Sequence, residues 1–359
     1  MSLSNKNGKI RVLIVDDSAL IRSMFSKILG ADPGIEIVGM APDPYVAREK
    51  IVELKPDVMT LDIEMPRMDG ITFLEAVMKH MPTRTIVISS LSTKNSEQAL
   101  RAMEVGAVDV MAKPALDVTH TLETLRQELV ERVKAVARAR LLAPQKRAAP
   151  SAAVARPVAT ESMSRTTHQV LAIASSTGGT EALKDVLPHL PADIPGTVIV
   201  QHMPPVFTKT FAEALQLLCP FEVREAADGD RVVPGRVLIA PGNFHMELTR
   251  SGAFYFVKLH QEPLLHGVRP AADYLMKSVA RFAGRNAVGV VLTGMGRDGA
   301  AGLLAMKQAG AYTIAQDEST SVVYGMPKEA VEVGAVDRVM PLGSIAGELI
   351  SQFKKRAVA

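Results

Sequence analysis

A chain of 359 residues has room for two domains at about 100–200 residues each. With 47% hydrophobic and 22% charged residues it is too apolar to stay disordered, yet no uninterrupted apolar run approaches the roughly 18 residues of a membrane span. The formal charge is only +3, the polar start from Met1 to Lys9 carries no secretory signal, and the single cysteine, Cys219, excludes a disulfide framework or a cysteine-built zinc site, so the cytoplasm is the expected compartment.

From Ile10 to Arg140, short continuous apolar runs alternate with helical periods. The runs are Ile10–Val15, Glu36–Ala41, Val58–Leu61, Thr85–Ile88 and Val108–Ala112. Wholly apolar strands alternating with helices predict a parallel sheet covered on both faces, with ligands at the carboxyl ends of its strands. Polar residues gather at those ends. Asp16 and Asp17 follow the first run, Asp62 ends the third, Ser89 and Ser90 end the fourth, and Lys113-Pro114 follows the fifth. Three clustered carboxylates repel, and each would carry a raised pKa unless a cation sat among them. Hard oxygen ligands in an open site suit Mg²⁺. An Asp pair after a strand is ordinarily a helix cap; the ordered set of acids, serine and lysine at successive strand ends lifts these residues above that use.

A helix is predicted from about Leu122 to Arg140, dissolving into a linker that ends near His168. Residues 135–159 carry ten alanines and three prolines, without apolar periodicity after Leu142. The segment 134–165 holds seven basic residues and one acid, Glu161, a net +6 that leaves −3 for the rest of the chain. The basicity is therefore local, unlike the basic face of a nucleic-acid-binding domain.

Val170–Ala174 is a further apolar strand, leading into Ser175-Ser176-Thr177-Gly178-Gly179-Thr180 and a helix near Glu181. A small, glycine-rich turn opening a helix aims backbone N–H groups at a phosphate or an oxyanion. Gly196–Gln201 precedes a helix from Phe207, and Ala287–Leu292 precedes a helix from Gly299. Met246–Thr249 and Ala253–Leu259 read as a β-hairpin around Arg250-Ser251-Gly252. The fold expected is α/β throughout: two doubly wound parallel sheets, the second with a small antiparallel hairpin. Ser176, His202 and Asp298 each follow a strand of the second sheet, where they can converge as nucleophile, base and orienter. Singly, a serine at a helix start is an N-cap, a histidine after a strand packs or caps, and an aspartate before glycine makes a turn. His189, His245, His260 and His266 are rival bases, with His245 and His260 on or beside the hairpin. The order Ser…His…Asp differs from α/β-hydrolases, chymotrypsin and subtilisin, and Ala174 breaks G-x-S-x-G around Ser176.

Residues 9–130, with Asp62-Ile63-Glu64-Met65-Pro66 and Met68-Asp69-Gly70, resemble a response-regulator receiver, a flavodoxin-like domain. The resemblance implies that Asp62 accepts a phosphoryl group from a histidine kinase. It further implies that Asp16, Asp17 and Asp62 hold Mg²⁺ with a backbone carbonyl near Glu64, that Lys113 pairs with the phosphoryl oxygens, and that Ser90 turns to hydrogen-bond them. Ser89 stays open as the alternative, one residue away in register. A carboxylate attacking phosphorus, with Mg²⁺ and lysine neutralising the developing charge, is consistent chemistry.

The whole chain resembles the chemotaxis protein-glutamate methylesterases, which are also glutaminases. The resemblance rests on Ser176-Thr177-Gly178-Gly179-Thr180-Glu181, Gln201-His202-Met203-Pro204-Pro205, Ile239-Ala240-Pro241-Gly242, Leu292-Thr293-Gly294-Met295-Gly296 with Asp298-Gly299, and Gly325-Met326-Pro327. It implies three parts: a receiver at 9–130, a helix end and flexible linker at 131–167, and a Rossmann-like esterase domain at 168–357. It implies hydrolysis of glutamyl methyl esters on methyl-accepting chemoreceptor helices, and deamidation of glutamines there, with no cofactor for the esterase step, no nucleic acid and no membrane insertion. Carried over, Ser176 is the nucleophile, His202 the base and Asp298 the orienter, with Thr177 and the Met295 N–H in the oxyanion region. The family usually has Gly-Ala before the serine. Here Ala174-Ser175 stands, which predicts a slightly shifted strand end, since alanine tolerates positive φ poorly, and offers Ser175 as a second hydroxyl. Ser176 is preferred because Thr-Gly-Gly follows it directly. Two other outputs compete. A nucleotide-binding module lacks G-x-G-x-x-G and an acid for the ribose; a DNA-binding domain lacks a helix-turn-helix with a basic recognition helix.

Overall fold

The computed structural model describes residues 8–114, 122–141 and 169–358; the expected linker lies outside them from residue 142 to 168. The first sheet contains β1 (Ile10–Val15), β2 (Ile35–Ala41), β3 (Val58–Asp62), β4 (Arg84–Ser89) and β5 (Asp109–Ala112). They pair in parallel in the order β2-β1-β3-β4-β5. Because successive side chains point to opposite faces, Leu13 and Val15 pack on one side while Val12 and Ile14 pack on the other. Helices α1 (Ala19–Gly30), α2 (Pro44–Leu54), α3 (Gly70–His80), α4 (Thr93–Val105) and α5 (Leu122–Arg138) cover the two faces. Ser18, Asp43, Asp69 and Ser92 cap the first four by accepting backbone N–H bonds at their starts. Helix α3 begins on Gly70 because a Cβ there would sit 2.5 Å from the Asp62 carbonyl oxygen.

The second sheet has seven parallel strands in the order β15-β14-β13-β6-β7-β10-β8. These are β6 (Val170–Ser175), β7 (Gly196–Gln201), β8 (Glu222–Glu225), β10 (Arg236–Ile239), β13 (Ala287–Val291), β14 (Tyr312–Gln316) and β15 (Arg338–Met340). A separate antiparallel sheet joins β11 (His245–Ser251) to β12 (Phe254–His260), and β12 to the two-residue β9 (Arg231–Val232). The hairpin was legible in the sequence, but β9 is too short for an alternation. Helices α6 (Gly179–Val186), α7 (Phe207–Gln216), α8 (Ala272–Phe282), α9 (Ala300–Gln308), α10 (Met326–Glu332) and α11 (Leu342–Val358) complete the layers. Strand order runs outward in both directions from the β13-β6-β7 centre, and such a switch point leaves a crevice at the carboxyl edge.

Ala174 is an ordinary strand residue paired with Val200 and Val291. It is not among the positive-φ residues, so alanine meets no backbone strain there. The left-handed position falls one turn later, at Gly178 with φ 79°, where a glycine carries no steric penalty.

Candidate active site

Two carboxyl edges concentrate polar chemistry. At the first, Asp62 is buried at the end of β3 and accepts the Lys113 Nζ–H at 2.6 Å and the Glu64 backbone N–H at 3.0 Å. Burial pushes the Asp62 carboxyl up to about 6, against the lowering pull of Lys113 and the Glu64 N–H. Asp16 Oδ1 accepts the Ser18 N–H at 2.8 Å, while Asp16 Oδ2 is buried with no hydrogen-bond partner. Burial likewise raises the Asp16 carboxyl. Carboxylate oxygens of Asp16, Asp17 and Asp62 lie within 4.8 Å of one another. Asp16 Oδ2 has no hydrogen bond and only the Lys113 Nζ at 3.7 Å as a counter-charge, and such an oxygen in a group of three acids fits a hard divalent cation. Ser89 is buried and points at the Asn95 carbonyl. Ser90 instead faces outward: its Oγ donates to Glu64 Oε2 at 2.7 Å and accepts from Asn95 Nδ2 at 2.5 Å. Ser90 therefore stands beside the acidic cluster without bonding Asp62.

At the second edge, β6 and β7 deliver Ser176 and His202. The His202 N–H donates to the Ser175 carbonyl at 3.1 Å and the Ser176 N–H to the Thr293 carbonyl at 3.0 Å, tying the ends of β6, β7 and β13 together. Gly294 lets the third loop close in, since a Cβ there would lie 2.8 Å from Ser176 Cβ. His202 Nε2 sits 2.8 Å from Asp298 Oδ2. Asp298 is buried, and burial raises its carboxyl pKa. The His202 hydrogen bond and charge, with the Ala272 and Asp273 N–H groups, outweigh that and hold it below the ordinary range. An ionised Asp298 fixes the imidazole proton on Nε2 and leaves the Nδ1 lone pair for a base. Ser176 is half-buried; among the described residues its Oγ makes no hydrogen bond. Ser175 is fully buried, with its Oγ donating to Gln201 Oε1 at 2.6 Å. Gln201 Nε2 in turn donates to the Ser176 carbonyl at 2.9 Å. Gln201 thus braces the strand ends beneath Ser176 and His202.

The rival histidines take other places. His189, in the turn after α6, places its Nδ1 2.8 Å from the Asp185 carbonyl at the end of that helix. His245 accepts the Ala271 N–H and stacks near His260 and Tyr274, and burial lowers its pKa. His266 lies near Asp298 and bonds Asp273 Oδ2 at 3.0 Å. Oxygens of Asp273 and Asp298 with a His266 nitrogen lie within 4.8 Å. N–H donors already fill that group, unlike Asp16 Oδ2, which accepts no hydrogen bond.

The two domains meet across contacts that apolar periodicity does not reveal, and the one beside Ser176 comes from the amino end of β5 rather than from the Asp62 edge. Thr177 Oγ1, next to Ser176, donates to Asp109 Oδ2 at 3.3 Å, and Arg132 grips the same oxygen at 2.7 Å. Ser96 of α4 bonds Thr210 of α7 through their hydroxyls at 2.6 Å. Lys184, its side chain 1% exposed, bonds Glu104 of α4 at 2.7 Å. The Arg140 N–H donates to the Val322 carbonyl at 3.1 Å. Met295, half-buried, opens onto a cavity of about 450 Å³ between α5 and the 321–325 loop.

Residues 12–126 match the response regulator receiver domain family and residues 171–349 match the CheB methylesterase family. A protein-glutamate methylesterase/protein-glutamine glutaminase of Bdellovibrio bacteriovorus is 65% identical over 352 residues, 98% of this chain and 99% of that one. A Salmonella typhimurium protein of the same name is 49% identical over 346 residues, 96% of this chain and 97% of its own. The crystal structure of the Thermotoga maritima CheB methylesterase catalytic domain superposes with TM-score 0.51 at 41% identity, covering 51% of this chain and 98% of that one. No helix among the described residues is long and apolar enough to cross a membrane. With a receiver match, a methylesterase match and 65% identity carried along nearly the whole chain, this protein belongs to the protein-glutamate methylesterase/protein-glutamine glutaminase family and is an enzyme of that class.

Proposed function

We propose that the chain is a phosphorylation-controlled esterase that works on chemoreceptor glutamyl side chains through Ser176, His202 and Asp298. The observation that carries this reading is the 2.8 Å contact of His202 Nε2 with a buried, ionised Asp298, at a sheet edge whose neighbouring strand presents Ser176. Ser176 Oγ attacks the γ-carbonyl carbon of the methyl ester while His202 Nδ1 takes its proton. The oxyanion falls to the Thr177 and Met295 region. His202 returns the proton to methoxide, methanol leaves, and an acyl-serine remains. Water, deprotonated by His202, then releases the glutamate and restores Ser176. With glutamine the leaving group is ammonia.

The domains proposed are a receiver over about 9–130 and an esterase over 168–357, in a cytoplasmic setting. Asp62 is the phosphoryl acceptor, served by a chemotaxis histidine kinase. Asp16, Asp17 and Asp62 would hold Mg²⁺, which neutralises charge on the transferring phosphoryl group. Lys113 balances the acids, and Ser90 exchanges Glu64 for a phosphoryl oxygen. Methanol release from methylated receptor membranes, with and without a small phosphodonor, tests the whole reading. Release that needs neither Ser176 nor the donor would overturn it.

A further inference from the structure

Asp298 is not held by His202 alone. Its Oδ2 accepts the Ala272 N–H and its Oδ1 the Asp273 N–H at 3.0 Å, so it caps the start of α8, whose own Ala271 has no capping side chain. Asp273, in the first turn of α8, does the reverse. Its Oδ1 accepts the Gly299 N–H at 3.1 Å and the Gly302 N–H at 2.7 Å, capping α9, which likewise lacks a local side-chain cap. The two helices approach closely because a Cβ on Gly302 would lie 2.6 Å from Met276 Cβ and 3.1 Å from Asp273 Cα. Each carboxylate thus sits at the positive end of the other's helix, which makes two neighbouring buried acids tolerable.

A second arm reaches Asp298 from its other side. Arg297 Nε lies 3.3 Å from His266 Nδ1, and His266 Nε2 lies 3.0 Å from Asp273 Oδ2. A guanidinium can only donate, so Nδ1 accepts and the Nε2–H donates to Asp273. His266 holds this position at φ 54°, a left-handed conformation rare for a non-glycine residue. Both chain neighbours of Asp298 are therefore tied to one buried carboxylate, Gly299 directly and Arg297 through His266.

We infer that Asp273 is a positioning residue for the reaction, fixing Asp298 against His202 through its exchange of helix caps and its His266–Arg297 arm. The inference rests on the Ser176–His202–Asp298 reading. The test measures methanol release from methylated receptor membranes by the full chain. Asp273→Ala lowers kcat by about 10²-fold, the cost of misplacing a catalytic group by about an ångström, with KM nearly unchanged. Asp273→Asn recovers most of that loss, because an amide oxygen still accepts the Gly299 and Gly302 N–H bonds. His266→Ala, at a more exposed site, lowers kcat several-fold and folds whether or not Asp273→Ala does. The decisive arm is the Asp298→Asn background, in which neither Asp273→Ala nor His266→Ala slows turnover further, since residues acting as one unit are non-additive. Wild-type kcat in His266→Ala, or losses that add to those of Asp298→Asn, overturn the positioning role while leaving the triad standing. Near-wild-type kcat in Asp298→Asn itself would instead remove the triad reading.

Discussion

Ser175 and Ser176 are adjacent, yet the fold gives them opposite surroundings. Ser175 ends β6 fully buried, spending its hydroxyl on Gln201 at 2.6 Å, whereas Ser176 stands half-buried in the turn. We expect Ser176→Ala to abolish methanol release while the protein stays folded. Ser175→Ala should keep its turnover and lose about 1–3 kcal/mol of stability, because Gln201 Oε1 is left buried and unpaired. The reverse pattern in activity would move the nucleophile to Ser175. His202→Gln and Asp298→Asn should each lower kcat by roughly 10²–10⁴-fold with little change in KM; a pure KM effect in both would reassign them to binding. At Asp62 the folded state raises the carboxyl from 3.8 to about 6. Between those values the native chain keeps a proton that the unfolded chain has released, so this group's contribution to stability falls as pH rises through that window and stays lost above it. Asp62→Asn should therefore flatten the stability profile between pH 4 and 6 and raise Tm at pH 7. Mg²⁺ should raise the wild-type Tm by favouring the ionised acids, and an unchanged Tm at millimolar Mg²⁺ would count against the cation site. These residues were legible because strand-end chemistry shows in the sequence as polar residues after apolar runs. Asp273 was not. It stands inside a helix, and what makes it matter is a reciprocal contact with a loop 25 residues away.

At the scale of elements, the apolar runs gave all five strands of the first sheet and β6, β7 and β13 of the second nearly to the residue, since buried parallel strands leave no polar face to blur them; β8, β10, β14 and β15 were not read, and β8 and β15 are short and partly exposed. Their order in the sheet and the docking of α4 follow from packing between segments distant in the chain, which periodicity does not encode. Helix α4 touches Ser90 at its start and α7 of the second domain. Ser90 is held by Asn95 near the α4 start, and the next residue, Ser96, bonds Thr210 of α7. Turning Ser90 toward a phosphoryl group at Asp62 would release Asn95 directly beside the Ser96–Thr210 contact. A hydrogen bond of this kind is worth about 0.5–1.5 kcal/mol net, which moves an equilibrium roughly 2- to 12-fold. Ser96→Ala is therefore expected to raise the unphosphorylated methanol-release rate by about that factor and to shrink the further gain from phosphodonor. A Ser96→Ala protein with unchanged basal rate and unchanged activation would mean that α4 does not hold the two domains in register.

For the whole molecule, the receiver's β5 edge rests on the Ser176–Gly179 turn. Asp109 takes the Thr177 hydroxyl at 3.3 Å while Arg132 pins it from α5, and Lys184 is shut beneath Glu104. If the substrate is a receptor helix, as proposed, its bulk would compete with the receiver for the ground beside Ser176. The tether between the halves, residues 142–168, lies outside the described residues, but any covalent link keeps the receiver at high local concentration near the site. Phosphorylation moves the docked and undocked populations only by its differential interaction with each. A typical coupling of about 1–3 kcal/mol gives roughly 5–150-fold activation. Three proteins separate relief of obstruction from direct activation: the full chain, Asp62→Asn, and a fragment beginning near Thr167. Under relief, the fragment releases methanol faster than the unphosphorylated full chain and ignores phosphodonor, while Asp62→Asn stays at the low basal rate whatever the donor. Thr177→Val in the full chain should then raise basal access while keeping the fragment's own rate close to its starting value, if Thr177 serves the oxyanion through its backbone. A fall in the fragment's kcat would assign the hydroxyl to the reaction as well as to the contact. A fragment no faster than the unphosphorylated chain sinks obstruction, and the Asp109–Thr177 contact would then have to be one through which the receiver raises the rate.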